Sequence, residues 1–363
     1  MRFLVIHPGP EFCVADVFTG WVEALEKLGQ KVIVYNHNIR LGFYDNALMP
    51  MDPEEEQLRD TSVGVRKVRK AMPRDEALWA AANGLYGTCY QTWPDVVLAI
   101  SAFFTPPLIL DVMRARKHKV VLVHTESPYQ DAEQLMRGAH ADYNIINDPK
   151  NLDKFRELGP ADYYPHAYRP SVHYPGKGTP KMECDLAFIG TAFSSRIKFF
   201  EAMDLEGLDV LLAGNWTKLP VESPNSPLYK YLATDHIENC VDNDQTAEAY
   251  RSARMGINPY RREIHYEGGV AELSTSIGPR EVEMAACGLP YLRDPRPENE
   301  EVLGMEPAYD SPEDASEKLR WWLKHPAKRE WAAREAYEAI KDRTFENNAK
   351  RLLKALESGA LDA

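Results

Sequence analysis

The sequence predicts an α/β protein made of two doubly wound parallel-sheet domains joined by a linker. Three observations carry this. Arg2-Phe3-Leu4-Val5-Ile6 is a short, nearly unbroken apolar run that stops at His7-Pro8-Gly9-Pro10, as a parallel strand covered on both faces should. The pattern returns at 185–189, where Asp185-Leu186-Ala187-Phe188-Ile189 passes through Gly190-Thr191 into a helical stretch at 195–203. Between them, 165–182 carries Pro165, Pro170, Pro175, Gly176, Gly178 and Pro180, a linker composition. With 363 residues the chain is more than twice the usual ~150-residue domain, so two cores are expected.

The elements follow in order. After the first strand, Val14, Val17, Phe18, Trp21, Val22, Leu25 and Leu28 recur at helical spacing, and Gly29 stops the helix before a strand at 31–35, completing one βαβ unit. Apolar runs at 95–100, 119–123 and 142–146 supply further strands. About 42–78 the rhythm breaks into an acidic run, DPEEEQLRD, and a basic one, VRKVRK, which reads as a solvated helical insertion. The second series adds strands at 209–213, 255–258 and 289–292, a helix at 246–254, and another from about 280 to 286 stopped by Cys287-Gly288. The residues from 313 to 361 are helical in composition and expected to cross back over the first domain. The expected division is a first domain at 1–168, a linker at 169–182, a second domain at 183–342 and a terminal helix at 343–363 that packs on the first domain.

Composition excludes several classes. Hydrophobic residues make up 44% and charged residues 27%, so the chain should fold rather than remain disordered. The 43 basic and 55 acidic residues leave a net charge of −12, which opposes broad binding to nucleic acid or bilayers. Five cysteines (Cys13, Cys89, Cys184, Cys240, Cys287) form no CxxC pair, so neither a disulfide framework nor a zinc ribbon is indicated and a reducing cytosol fits. The opening residues lack the apolar core of a signal peptide and no stretch is long enough to span a membrane, so a cytoplasmic protein is expected.

Residues 255–294 carry the densest chemistry. A strand ends at Asn258-Pro259, a loop follows with Tyr260, Arg261, His265 and Glu267, and Gly278-Pro279 opens the helix. The N–H groups of a helix start lack intrahelical partners, so a phosphate there meets both donors and the positive end of the dipole. Arg280 adds a fork of donors suited to phosphate oxygens. Glu283, one turn on, can accept hydrogen bonds from two neighbouring ribose hydroxyls. The bland alternative is an ordinary amphipathic helix whose Arg and Glu pair at the surface. In the turn Gly190–Arg196 short residues let a diphosphate approach the backbone, and Arg196 can neutralise it; otherwise Ser194 or Ser195 simply caps a helix. Asp242-Asn243-Asp244 could bind a metal but is more simply read as Asn243 or Asp244 capping the next helix, and no histidine cluster suggests a metal. Acid–base candidates in the first half are Asp16, at the start of the first helix, and His124 and Glu126, after the strand at 119–123; His7 ends strand one. His166, Tyr168 and Arg169 enter the linker, to touch a ligand or to pack the hinge.

The stretch Gly278-Pro279-Arg280-Glu281-Val282-Glu283-Met284-Ala285-Ala286-Cys287-Gly288-Leu289-Pro290 resembles the signature of glycosyltransferases of the GT-B fold, two Rossmann-like domains facing a central cleft. Over most of 183–355 the chain is similar to the spore-maturation CgeB-like branch. The shared features are Asp185-Leu186-Ala187-Phe188-Ile189-Gly190-Thr191 with Arg196, Trp216 after Ala213-Gly214, Gly256-Ile257-Asn258, and Tyr309-Asp310-Ser311-Pro312-Glu313-Asp314. The resemblance implies transfer of a sugar from a nucleotide diphosphate donor, expected to be UDP-linked, to a hydroxyl. It implies no cofactor and no metal, a donor site at Gly190, Thr191, Arg196, Asn258, Tyr260, Gly278, Pro279, Arg280 and Glu283, and an acceptor domain in the first half holding Asp16, His124 and Glu126 as base candidates. Two elements depart from the wider pattern: Thr275 stands where retaining members carry the first Glu of a Glu-x7-Glu pair, and Arg343 and Asn348 replace the His and Arg of a C-terminal element. Inversion or retention is therefore open. The rivals are a nucleotide-sugar 2-epimerase of the same fold and a non-catalytic member that binds a partner. The acceptor could be a protein, a modified nucleic-acid base, a cell-wall precursor or a small metabolite.

Overall fold

Two parallel sheets form where the apolar runs lie. The computed structural model describes residues 1–9, 14–46, 48–49, 70–233, 241–263 and 274–358. In the first half, strands β1 (Arg2–Ile6), β2 (Lys31–Tyr35), β5 (Val96–Ile100), β6 (Lys119–His124), β7 (Tyr143–Ile146) and β8 (Ala161–Tyr163) make one sheet in the order β2-β1-β5-β6-β7-β8. β1 lies inside it, with Leu4 opposite Ile33 on one side and Val97 on the other. Alternate residues share a face, so Leu4, Ile6, Val97, Ala99, Val120 and Leu122 build one core with Leu85 and Cys89 of helix Arg74–Thr92 and Leu110 and Met113 of helix Pro107–Ala115. The pattern did not show β8, which has only three residues. Most of the insertion expected about 42–78 lies outside the described residues; an antiparallel pair, β3 (Leu48–Met49) and β4 (Lys70–Ala71), brackets it.

The second sheet has the order β10-β9-β11-β12, from β9 (Cys184–Ile189), β10 (Val210–Ala213), β11 (Ala253–Asn258) and β12 (Tyr291–Arg293), all parallel. Both its faces are buried. Leu186, Phe188, Leu212 and Ile257 pack with Phe200 and Trp216 on one side, and Ile189, Ala213 and Tyr291 with Val282, Ala285 and Ile340 on the other. The Trp216 indole N–H donates to the Ala213 carbonyl (3.2 Å), a core role for a residue that the family resemblance singles out. The helical tail is three helices. Pro312–Leu323 and Pro326–Ile340 each start on a proline, whose missing N–H costs nothing at that position, and Phe345–Glu357 is capped by the Thr344 hydroxyl, which accepts from the Asn347 N–H (3.2 Å).

The chain folds as two compact units, one of 1–125, 132–145 and 155–161, the other of 126–131, 146–154 and 162–363. This is not the single cut near 169 that the proline-rich stretch suggests. Segments 126–131 and 146–154 leave the first half because their polar side chains are bonded within the second unit, as described below. The terminal helix belongs there too: Asn348 Nδ2 donates to the Pro165 carbonyl (3.1 Å) and Arg351 Nη1 to that of Tyr163 (2.8 Å), and residues 162–168 are themselves part of that unit. No helix among the described residues is long and apolar enough to cross a membrane.

Candidate functional site

Within the second unit, the carboxyl ends of β9 and β11 and the start of helix Pro279–Ala286 bring Gly190, Thr191, Arg196, Asn258, Tyr260, Gly278, Pro279, Arg280 and Glu283 together. Gly190 is the hinge of this arrangement. A Cβ there would stand 2.9 Å from the Phe188 ring and 3.1–3.2 Å from the Arg280 guanidinium, and one on Gly214 (φ +108°) would strike the Gly190 backbone at 2.6–3.0 Å. Only glycines let these turns and Arg280 approach so closely. Arg280 Nε donates to the Ile189 carbonyl, which lays the guanidinium over the turn.

Arg196 has a more structural task than the sequence suggested. It is 5% exposed, with Nε donating to the Pro259 carbonyl (2.7 Å) and Nη1 to that of Thr191 (3.0 Å), so it ties β11 to the turn after β9. Burial first, then the charges of Arg280 and Arg261, bring its pKa down to about 9. Arg196 and Arg261 also lie over the same Phe193 ring, at 5.3 and 5.4 Å, so like charges gather at this turn. An anion placed among them would relieve that repulsion. Arg261, which the sequence noted only as part of a loop, sits over the Tyr129 ring at 4.1 Å and pairs with Glu126 at 2.6 Å.

The helix start is less open than expected. Pro279 has no N–H, and those of Glu281 and Val282 turn back to the Gly278 carbonyl (3.1 and 3.3 Å), leaving the Arg280 N–H. Gly278 N–H is taken as well, by Tyr260 Oη (3.0 Å) and by the Glu281 carboxylate (3.1 Å), which reaches back in a capping box. Glu281 accepts from the Tyr260 hydroxyl and from Asn299 Nδ2 (2.8 Å); burial still drives its pKa up to about 7. Asn258, 2% exposed beside Gly278, has an Oδ1 with no partner among the described residues. Glu283 is buried, with Asn243 Nδ2 at 3.5 Å. Helix Asn243–Ser252 starts earlier than expected and places Asp242, not Asn243 or Asp244, at its cap position, without a side-chain capping bond.

The loop before this helix is held by acids that sequence reasoning missed. Asp148, fully buried, accepts from the Ser274 hydroxyl, from Thr275 N–H (2.9 Å) and Oγ1 (2.7 Å), from Ser276 N–H (3.2 Å) and Oγ (3.1 Å), and from Lys150 N–H (2.9 Å). Burial would raise its carboxyl, but the hydrogen bonds from Ser274, Thr275, Lys150 and Ser276 outweigh it and hold the pKa below the usual aspartate range. Glu298 accepts from Ile277 N–H (2.7 Å), Tyr163 Oη (2.7 Å) and Arg343 Nη2 (2.8 Å), and Arg296 donates to the Ser276 carbonyl (2.9 Å) and to Tyr129 Oη (2.8 Å). Thr275 and Arg343, two of the three residues that depart from the resembled pattern, thus both serve to fix this loop. The hint in the sequence was Asp148-Pro149 directly after a strand; nothing local names its distant donors. His166 accepts from Asn147 Nδ2 (2.9 Å) and burial holds it near 4, while the Tyr168 hydroxyl donates to the Lys341 carbonyl (3.1 Å). Both pack this region. His265 and Glu267 lie outside the described residues.

The base candidates separate. His124 is 1% exposed, its Nε2–H donates to Asn144 Oδ1 (2.8 Å), its ring packs on Phe155 and burial lowers its pKa to about 4: it is a core histidine of the first unit. Glu126 is committed to Arg261, an ion pair that proton transfer would break. Asp16 lies half-buried in the first turn of helix Ala15–Lys27, where the helix dipole favours its charge. At the carboxyl ends of the first sheet, His7 Nδ1 accepts from Gly9 N–H (3.1 Å), and Ser101 and Ala102 both adopt left-handed φ (60° and 55°). Two such non-glycine residues in succession each store ~1–3 kcal/mol, the strain that gathers where a fold presents side chains to a ligand.

Residues 196–354, under half of the chain, match a family model described as glycosyl transferase-like. No curated protein matches the sequence. Among solved structures the chain is similar to the sucrose-phosphate synthase of Thermosynechococcus elongatus (14% identity, 98% of this chain and 99% of that one, TM-score 0.65). It is also similar to a protein provisionally assigned as a UDP-N-acetylglucosamine 2-epimerase from Listeria monocytogenes (14%, 100% and 97%, 0.61). A third likeness is to an α-glucosyltransferase solved with UDP and a 13-mer DNA containing an HMU base (13%, 97% and 98%, 0.61). At these identities the likeness shows the fold, and that fold is GT-B.

Proposed function

We propose that this chain is a glycosyltransferase that moves a sugar from a UDP-linked donor to a hydroxyl, working in the cytosol and without a metal. The observation that carries this reading is that Arg196 and Arg280 donate to the Thr191 and Ile189 carbonyls at the carboxyl end of β9 while Arg196 and Arg261 both lie over the Phe193 ring (5.3 and 5.4 Å), inside the span that matches a glycosyl transferase-like model. Breaking the sugar–phosphate bond leaves charge on the diphosphate, and fixed guanidiniums stabilise it without reorganising at the moment of reaction. Arg280 and Arg261 are assigned to that charge, with Arg196 behind them. Glu283 takes the ribose hydroxyls. The network of Asp148, Glu281, Glu298 and Arg296 holds the loop and helix start in place beforehand, which is where catalytic preorganisation comes from. Asp16 is our candidate base, and Glu126 orients Arg261. The buried free thiols of Cys89, Cys184 and Cys287 fit a reducing compartment. The CgeB-like motifs quoted above support that branch of the fold.

The test is transfer itself. Incubation with UDP-sugars and a panel of hydroxyl acceptors should yield glycosylated product by intact mass. Release of UDP with an epimerised free sugar and no transfer would favour the 2-epimerase reading, which the Listeria likeness supports. Glu283→Gln should weaken UDP binding by ~1.5–3 kcal/mol, because a charge-assisted acceptor becomes a neutral one; an unchanged dissociation constant in calorimetry would remove the ribose assignment. Turnover should persist in excess chelator. Loss of activity that manganese restores would instead make ligands of Asp242 and Asp244.

A further inference from the structure

The acids around the arginines include one whose position is not that of a partner in the capping network. Glu263, three residues past the Tyr260 end of the loop after β11, places Oε1 2.6 Å from the Ser195 N–H and Oε2 2.9 Å from the Ser195 hydroxyl; Oε2 also accepts from the Arg262 N–H at 3.0 Å. Ser195 belongs to the first turn of helix Ser194–Ala202, directly after the Gly190–Phe193 turn. The N–H groups of Gly190, Ala192 and Phe193 already bond to the carbonyls of Ala213, Asn215 and Thr191, and those of Arg196 and Ile197 to that of Phe193. Of the N–H groups of this turn and helix start that those bonds leave over, at Thr191, Ser194 and Ser195, the one on Ser195 is held by Glu263. Glu263 is also among the charges that act on Arg196.

We propose that Glu263 is a resident anion that stands in for the donor's phosphate: it satisfies the Ser195 N–H and hydroxyl when no donor is bound, and the diphosphate has to displace it. The inference rests on the donor site proposed above. Its consequence has the opposite sign to that of the other acid in the site. Glu283 is assigned to bind the donor, whereas Glu263 competes with it, so removing Glu263 should tighten binding. Because Glu263 takes both donors of Ser195, the N–H and the hydroxyl, a phosphate oxygen finds none there until the carboxylate leaves, and two anions in one place repel each other. A helix cap without this second role would show only in stability, as a lower Tm with UDP affinity unchanged.

The experiment compares the wild-type chain, Glu263→Gln and Glu263→Ala by titration calorimetry with UDP and by thermal unfolding without ligand. Glutamine keeps a carbonyl acceptor for the Ser195 N–H and so guards against a variant that does not fold. The expected result is ~5–150-fold tighter UDP binding by both variants, the span of typical coupling between two ligands of one protein, alongside an equal or lower Tm. Unchanged or weaker UDP affinity in a folded variant overturns the proposal while leaving the donor site standing. Failure of all three proteins to bind UDP overturns the donor-site reading and this inference with it.

Discussion

Asp16→Asn is expected to lower transfer turnover by ~10²–10⁴-fold while UDP affinity stays near wild type, the signature of a lost general base rather than of a lost binding contact. Asparagine keeps the shape and loses the proton acceptor. The contrast with the other candidates makes the test specific. His124→Ala removes a buried ring that donates to Asn144 and packs on Phe155, so its effect should appear as a lower Tm of the first unit. Glu126→Gln breaks the pair with Arg261 and should weaken UDP binding through that guanidinium rather than slow the chemistry alone. Single-turnover rates with saturating donor separate the three. Full activity in Asp16→Asn would argue for a retaining reaction in which the leaving phosphate takes the acceptor's proton.

Asp148→Ala should strongly destabilise the second unit. It strands the N–H groups of Thr275 and Ser276 and the hydroxyls of Ser274, Thr275 and Ser276 without their acceptor. At ~1–3 kcal/mol for each buried donor left unmatched, and with partial rescue by water, a loss of ~3 kcal/mol or more is expected, or ~6–12 °C in Tm for a unit of this size. Donor affinity should fall with it, because the loop that leads to Gly278 and Arg280 loses its anchor. The pH dependence has a definite sign. The folded carboxyl lies below its ordinary value, so its contribution is fully present above ~3.9, the unfolded value, and disappears as pH falls through the folded one. Scanning calorimetry from pH 5 down to pH 2 should show a steep limb below about pH 4 in the wild type and a shallower one in Asp148→Asn. Equal acid limbs would show that Asp148 does not carry the acid sensitivity.

Short-range features were legible in the sequence. Runs such as Phe3–Ile6 and Leu186–Ile189 identified buried parallel strands because a strand covered on both faces has nowhere to put a polar side chain. Gly278-Pro279 marked a helix start, and the nine donor-site candidates converge because strand ends and helix starts of a parallel sheet lie on one edge. Three-residue strands such as Ala161–Tyr163 have too little pattern to show.

What the tertiary structure decided is which polar groups remain available. Asp148 finds all but one of its donors 126 to 128 residues away, and Glu263 reaches a serine 68 residues back. Arg196, read as a phosphate ligand, turned out to be engaged with two carbonyls, and of the first N–H groups of the helix at Pro279 only that of Arg280 has no partner among the described residues. Residue type and local spacing state what a side chain is able to do. Whether its donors and acceptors are spent on the protein or left for a ligand depends on groups brought close only by folding, because a hydrogen bond acts over ~3 Å and burial makes each one obligatory.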